Sequence, residues 1–354
     1  MRNRAKPTTL LAMIPTVVLL AAGMSTRFGR LKQLEPVGPG GEALLDYSVF
    51  DARRAGFSRI LLIIREELEE TFRNHIRGRW PEDLKVVFHH QRLDDLPGTG
   101  AAQNAPSALR VNADPGRPLS PAAAPTREAA LSPDVVVGRR EKPWGTAHAV
   151  LSARSHLPGP FVLLNADDFY GESAFRQAQE FLSAELPGES GDTPLFGLVT
   201  YTLQDTLSEY GGVSRGVCRV DAHGWLQGIQ EVLEIRRGKE GISGRTVPGR
   251  KLALRGTEPI STNLWIFTPA IFPILEAGFV EFLRARQVEA SPSQPEFLIP
   301  TEVSRGLEEE SVRVRGIPTM DRFLGITHPQ DREWVVRGLK ELTVEGRYPS
   351  PLWS

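Results

Sequence analysis

Between Thr16 and Gln33 an apolar run, Thr16-Val17-Val18-Leu19-Leu20, breaks into mostly small residues, Ala21-Ala22-Gly23-Met24-Ser25-Thr26, with Arg27 and Lys32 close behind. Small side chains let consecutive backbone N–H groups converge on an anion, and two cations add charge where a polyphosphate would lie. A second cluster follows another apolar run, Phe161–Asn165, as Ala166-Asp167-Asp168. Adjacent carboxylates at the end of a strand are the hard oxygen donors that magnesium prefers. Successive strand residues point to opposite faces, so one of the pair is expected to face the metal and the other to face away. A phosphate loop opposite an acid pair is equipment for phosphoryl-type chemistry.

Two common phosphate loops fit poorly. A Walker loop requires G-x-x-x-x-G-K-[S/T], which is absent here. A dinucleotide fingerprint requires G-x-G-x-x-G, but Met24 and Ser25 follow Gly23. Asp46 stands near the place of a ribose-binding acid, which keeps that alternative open.

The elements that must position these residues alternate. Ala43–Ala55 reads as a helix stopped by Gly56, Ile60–Ile64 as a strand buried on both faces, Glu66–Arg77 as a charged helix, and Leu84–Phe88 as a strand. Beyond Phe161–Asn165, strands are expected at Leu195–Tyr201 and Ile260–Phe267, and a hairpin at Gly212–Glu231 turning at Asp221–Gly224. Residues Glu296–Leu342 alternate helix, strand and helix. This succession implies an α/β fold, a doubly wound, mixed but mostly parallel sheet of Rossmann-like type. Pro97–Pro133 interrupts it with seven prolines, ten alanines and no aromatic residue. That composition supports no core, so the segment is read as a flexible insertion that folding does not need. The organisation expected is an extension at 1–15, a catalytic domain over 16–330, and a C-terminal helix and tail at 331–354.

The 354 residues carry 42 basic and 43 acidic side chains, a balance that argues against a nucleic-acid binder. The single cysteine, Cys218, excludes an internal disulfide and reads as a small buried hydrophobe. Arg2, Arg4 and Lys6 before the apolar run Leu10–Ala22 mimic a secretory leader, but Pro15 interrupts that run and it is shorter than the roughly 20 residues a bilayer needs. A cytoplasmic protein without membrane contact is expected, with Met13 as an alternative start and a homo-oligomer left open.

Residues 20–34 resemble the N-terminal signature of the sugar-1-phosphate nucleotidyltransferases, a strand, a G-x-(G/S)-T-R loop and then K-Q or K-P. The resemblance implies that Ala22, Gly23, Met24, Ser25, Thr26 and Gln33 bind a nucleoside triphosphate. It gives Arg27 the leaving pyrophosphate and places Lys32 at the α-phosphate or between the substrates. Asn165–Gly171 is similar to the family's G-D-x-(x)-(Y)-G motif, which makes Asp167 the magnesium ligand and Asp168 a neighbour that orients the sugar. Lys142–Val150 is similar to the L-G-T-G-H-A segment of relatives using uridine or thymidine triphosphates. This implicates Gly145 and Thr146 in reading the base, with Ala147 where relatives carry glycine. Glu209–Val213 resembles a Y-G-x-V turn that contacts the hexose, implicating Gly211. Gly228–Glu231 resembles the strand end that precedes E-K-P, implicating Glu231 for sugar hydroxyls, although Val232 replaces the lysine expected at the sugar phosphate. Ser261–Pro269 resembles the segment bearing a second metal ligand and points to Asn263. The implied reaction joins UTP or dTTP to a sugar-1-phosphate and releases pyrophosphate. A non-catalytic nucleotide-sugar-binding subunit and a transferase acting on an alcohol phosphate are the alternatives.

Overall fold

A computed structural model describes residues 15–23, 31–96, 140, 142–186, 191, 193–288 and 295–353. Four strands form a parallel block: β1 (Thr16–Leu20) lies between β2 (Arg59–Ile64) and β4 (Phe161–Asn165), and β3 (Lys85–His90) pairs with β2. Alternate residues feed two separate cores. Val17, Leu19, Leu62, Ile64 and Leu164 pack on one face, and Val18, Leu61, Ile63 and Leu163 on the other. That is why the strands read as unbroken apolar runs: a doubly covered sheet leaves no solvated face.

The helices between these strands cover both faces. Helix α1 (Leu44–Arg54) begins with Asp46 accepting from the Ala43 amide at 2.8 Å and stops at Gly56, whose φ of 95° favours glycine. Asp46 also accepts from the Trp80 indole at 2.7 Å and touches His75, so it is a structural residue of α1 rather than a ribose ligand. The expected charged helix is divided into a 3-10 turn at Glu66–Leu68 and α2 (Glu69–Ile76). Helix α3 (Thr146–Ser152) precedes β4.

Past β4 come the short strand β5 (Asp168–Phe169) and α4 (Glu172–Glu180), then β6 (Leu195–Thr202). An antiparallel meander follows: β7 (Val213–Val220), β8 (Leu226–Gly238), β9 (Gly241–Thr246) and β10 (Lys251–Leu254). Strand β11 (Pro259–Phe267) joins the halves, pairing antiparallel with β4, β6 and β7. Helices α5 (Ile271–Val288) and α6 (Ile299–Glu308), strand β12 (Arg313–Pro318, parallel to β6), β13 (Leu324–Gly325) and α7 (Asp331–Val344) complete the order. The sheet is mixed, as the sequence implies. Parallel pairing is confined to β3-β2-β1-β4 and β6-β12, and the antiparallel share is larger than expected. The hairpin runs past Glu231 into β9 and β10, which the charged stretch Arg236–Lys251 conceals, because only alternate residues such as Ile242 and Leu252 reach the core. Pro97–Pro133 lies outside the described residues. No helix among the described residues is long and apolar enough to cross a membrane.

Helix α7 and the tail pack on α1. Val335, Leu339, Tyr348 and Leu352 share one apolar cluster with Leu44, Tyr47 and Phe169. The Tyr348 hydroxyl donates to Asp51 at 2.7 Å, and Asp51 is fully buried. Burial pushes the Asp51 carboxyl up to about 8, although the Tyr348 hydrogen bond and Arg54 pull it down. An acid whose pKa rises on folding binds more protons in the folded state, so stability falls as pH climbs from the ordinary aspartate range through about 8. Asp51→Asn keeps an uncharged acceptor for Tyr348. It is expected to match the wild type in urea denaturation near pH 4 and to exceed it above pH 8, by roughly 2 kcal/mol or more. Equal pH slopes for the two proteins would contradict this.

Candidate functional site

Leu20 and Asn165 are register partners on adjacent parallel strands, and the Ala166 amide donates to the Leu20 carbonyl at 3.0 Å. The loop after β1 and the acids after β4 therefore leave the sheet side by side at its carboxyl edge, where open α/β sheets bind ligands. Of the loop, Ala22 and Gly23 are described; Met24, Ser25, Thr26 and Arg27 lie outside the described residues. The chain resumes in a 3-10 turn, Lys32–Leu34. Lys32 Nζ donates to Asp167 Oδ2 at 2.6 Å, joining the two sequence clusters directly. Burial lowers the pKa of the Lys32 ammonium, but the charges of Asp167 and Asp168 outweigh it and leave it raised. Gln33 is buried, its amide donating toward the Gly23 carbonyl at 3.4 Å, and its Oε1 has no partner among the described residues.

The acids do not occupy consecutive positions of one strand. Strand β4 ends at Asn165, Ala166 and Asp167 form a turn, and Asp168 opens β5, paired with Gly325 of β13. The turn, rather than strand alternation, separates their roles. Asp167 meets Lys32, while Asp168 Oδ2 accepts from the Asn165 amide at 3.0 Å. Burial and then the neighbouring Asp167 charge push Asp168 up to about 6, against Lys32 and Asn165, which lower it.

Asn263 sits where the β11 register shifts between Ser261 and Trp265, with φ at 69°, a left-handed conformation that asparagine tolerates. Its amide orientation follows from its neighbours. The Trp265 indole can only donate, at 2.9 Å, so Asn263 Oδ1 must accept. Asn263 Nδ2 then donates to Asn165 Oδ1 at 2.8 Å, which turns the Asn165 amide nitrogen toward Asp168. One directed chain thus runs from Trp265 to Asp168. Tyr170 braces it, its hydroxyl donating to the Thr262 carbonyl at 3.0 Å and accepting from the Asn165 amide at 3.1 Å.

Thr146, Asn165, Asp168, Arg215, Glu231 and Asn263 line one cavity of about 260 Å³, walled further by Phe323. Thr146 accepts from the Ile299 amide at 3.2 Å. Gly145 backs onto Phe297, leaving no room for a Cβ, with φ at 114°, and its carbonyl accepts from Gln91 at 3.1 Å. His148 accepts from Gln91 at Nδ1 and donates to the Asp95 carbonyl from Nε2; burial pushes it down to about 4, so it is a neutral structural residue. Cys218 is buried and its thiol is pushed up to about 12, also structural. Gly211 lines a neighbouring cleft and lies beneath His328. Sequence reading missed Asn165, Arg215, Phe323 and the orienting Trp265. No cluster of three or more His, Cys, Asp or Glu fit to hold a metal occurs among the described residues. Magnesium does not require one: it keeps several waters and takes one or two carboxylates plus substrate phosphates. Asp167 and Asp168 fit that donor set, whereas the Asn263 oxygen is already engaged by Trp265.

Tyr170→Phe strips a partner from a buried carbonyl and a buried amide at once. It is expected to lower unfolding free energy by about 2 kcal/mol in urea titration; an unchanged midpoint would show that the brace carries no load.

Residues 17–104 match the model of the MobA-like NTP transferase domain. No curated protein matches the chain. Among solved structures, the fold is similar to a UDP-glucose pyrophosphorylase from Acinetobacter baumanii, with a TM-score of 0.52, 15% identity, and 94% of this chain and 99% of that one covered. An inositol-1-phosphate CTP transferase from T. maritima gives 0.51 at 12% identity, covering 93% and 97%. HddC from Yersinia pseudotuberculosis complexed with GMP-PN gives 0.50 at 15%, covering 92% and 99%. The matched residues hold β1, β2, β3, Lys32 and Gln33, and the rest of the chain completes the sheet around them. Residues 17–104 thus match the MobA-like NTP transferase domain, within a Rossmann-like α/β fold similar to that of these solved structures.

Proposed function

We propose that the protein is a magnesium-dependent nucleotidyltransferase that joins UTP or dTTP to a sugar-1-phosphate, releasing pyrophosphate and forming a nucleotide-sugar in the cytoplasm. The observation that carries this reading is the 2.6 Å contact between Lys32, from the phosphate loop, and Asp167, from the acid pair. A phosphate oxygen of the acceptor attacks the α-phosphorus, the bond to the bridging oxygen breaks, and pyrophosphate departs with the electron pair. The attacking oxygen is already anionic, so no general base is needed, and catalysis is positioning and charge neutralisation. Lys32 lies where it can trade Asp167 for an incoming phosphate oxygen. Arg27 takes the leaving pyrophosphate on the reading of the loop. Magnesium, held by Asp167 with Asp168 beside it, would neutralise charge on the phosphates. Asn263 and Asn165 hold Asp168 in place, and Glu231 faces the same cavity to accept from acceptor hydroxyls.

The preference for uracil or thymine rests on Gly145 and Thr146. These bases present an N3–H between two carbonyls, and cytosine's acceptor at N3 would mismatch the same edge at a cost of about 1–3 kcal/mol per unmatched group. The similar structures are named for UDP, CTP and GMP-PN ligands or substrates, so this fold accommodates several bases. Val232 in place of lysine, with the likeness to an inositol-1-phosphate CTP transferase, favours an alcohol phosphate as the second reading of the acceptor.

Pyrophosphate release from a panel of triphosphates and phosphorylated acceptors tests both readings. Preference for a purine or cytidine triphosphate would end the uracil or thymine reading, and no release with any pair would end the enzymatic one. Asp167→Asn is expected to lower kcat/KM at least about 100-fold, the scale of a lost charge-stabilising contact. Asp168→Asn is expected to cost less. The reverse order would move the metal ligand by one residue.

A further inference from the structure

The loop supplies cations for the donor triphosphate, but Val232 leaves the acceptor's phosphate without the expected lysine. Val232 is fully buried in the core. Its direct partner across the β7–β8 ladder is Arg215, and paired residues share a face of the sheet. Neighbouring strands lie about 4.8 Å apart, a gap that an arginine side chain spans. Arg215 lines the same cavity as Asp168, Glu231 and Asn263.

Neutral groups fix the guanidinium. Nη2 donates to the Thr206 carbonyl at 2.8 Å, Nε to the Thr206 hydroxyl at 3.4 Å, and Nη1 to the Ser214 carbonyl at 2.9 Å. Its Cζ lies 5.4 Å from the centre of the Phe323 ring. Among the described residues it forms no salt bridge, although Asp168 and Glu231 act on it from farther away. Arginine has five N–H donors, so these three bonds leave one free on each terminal nitrogen. Two adjacent donors on a planar, partly desolvated cation suit two oxygens of one phosphate. Neutral carbonyls position the group but do not satisfy its charge.

We propose that Arg215 is the anchor for the acceptor's phosphate, so that β7 supplies the cation that Val232 cannot supply from β8. This rests on the nucleotidyltransferase reading above. The anchor reads the phosphate alone, and Glu231 is left to read the hydroxyls of the attached sugar or polyol.

Steady-state kinetics on Arg215→Gln and Arg215→Lys test it, with the acceptor and triphosphate that the wild type turns over best. Arg215→Gln is expected to raise the acceptor KM about 30-fold or more, the scale of lost hydrogen bonds to a charged group, with the triphosphate KM within about twofold. Arg215→Lys should recover part of the loss. Equal damage to both KM values and to melting temperature, without recovery by lysine, would show that Arg215 merely braces Thr206 and Ser214. Calorimetric titration with inorganic phosphate reads the anchor without turnover, so failure of the enzymatic reading stays distinguishable. Wild-type binding that Arg215→Gln abolishes supports the anchor. No binding by the wild type, or equal binding by both, overturns it.

Discussion

Because β1 and β4 pair in parallel and in register through Leu20 and Asn165, two segments more than a hundred residues apart leave the sheet at the same level. Parallel pairing is what requires this, since antiparallel neighbours would send the phosphate loop and the acids to opposite edges. The Lys32–Asp167 contact follows from that register. So does the chain from Trp265 through Asn263 and Asn165, because Asn165 is the last residue of β4. A slip of one residue would turn Val17 and Leu19 of β1, or Val162 and Leu164 of β4, onto the opposite face and dismantle both cores as well as the site.

Charge in the site is arranged in pairs of unequal depth. Lys32 and Asp167 are both partly accessible and can exchange partners, which suits groups that must meet an incoming polyanion. Asp168 is held more tightly and is pushed toward neutrality by burial and by Asp167. Two carboxylates a residue apart thus differ in availability because the Ala166–Asp167 turn gives one a cation and the other an amide.

The parallel half of the fold was legible in the sequence because a strand covered on both faces must be apolar, as Ile60–Ile64 and Phe161–Leu164 are. Lys32, Asp167 and Asp168 were legible because charge at a strand's end needs a chemical reason. Asn165 was hidden as the last letter of an apolar strand, and its role exists only because Asn263 arrives from 98 residues away. Trp265 reads as one more core aromatic until its indole nitrogen is seen to fix an amide. Arg215 was obscured by the register shift between Arg219 and Val220, so that counting back from the turn at Asp221–Gly224 does not bring it opposite Val232. Strands β9 and β10 are short, and the few apolar residues they bring to the core, Ile242, Leu252 and Leu254, are spaced among charged and small ones.

The contact between Tyr348 and Asp51 has a kinetic side. Its partners are 297 residues apart, and Leu352 likewise donates to Glu42 across 310. During synthesis α1 emerges early, yet the apolar face formed by Leu44 and Tyr47 is only partly covered, by Phe169, until α7 and the tail have been made. Through most of translation that face is a partly exposed patch on a nascent chain, the kind of surface that chaperones bind. Contacts of such long sequence separation also close slowly, since loop-closure entropy must be met before they form. The sheet around the phosphate loop can therefore assemble before this seal does, and the seal becomes the last step toward the native state.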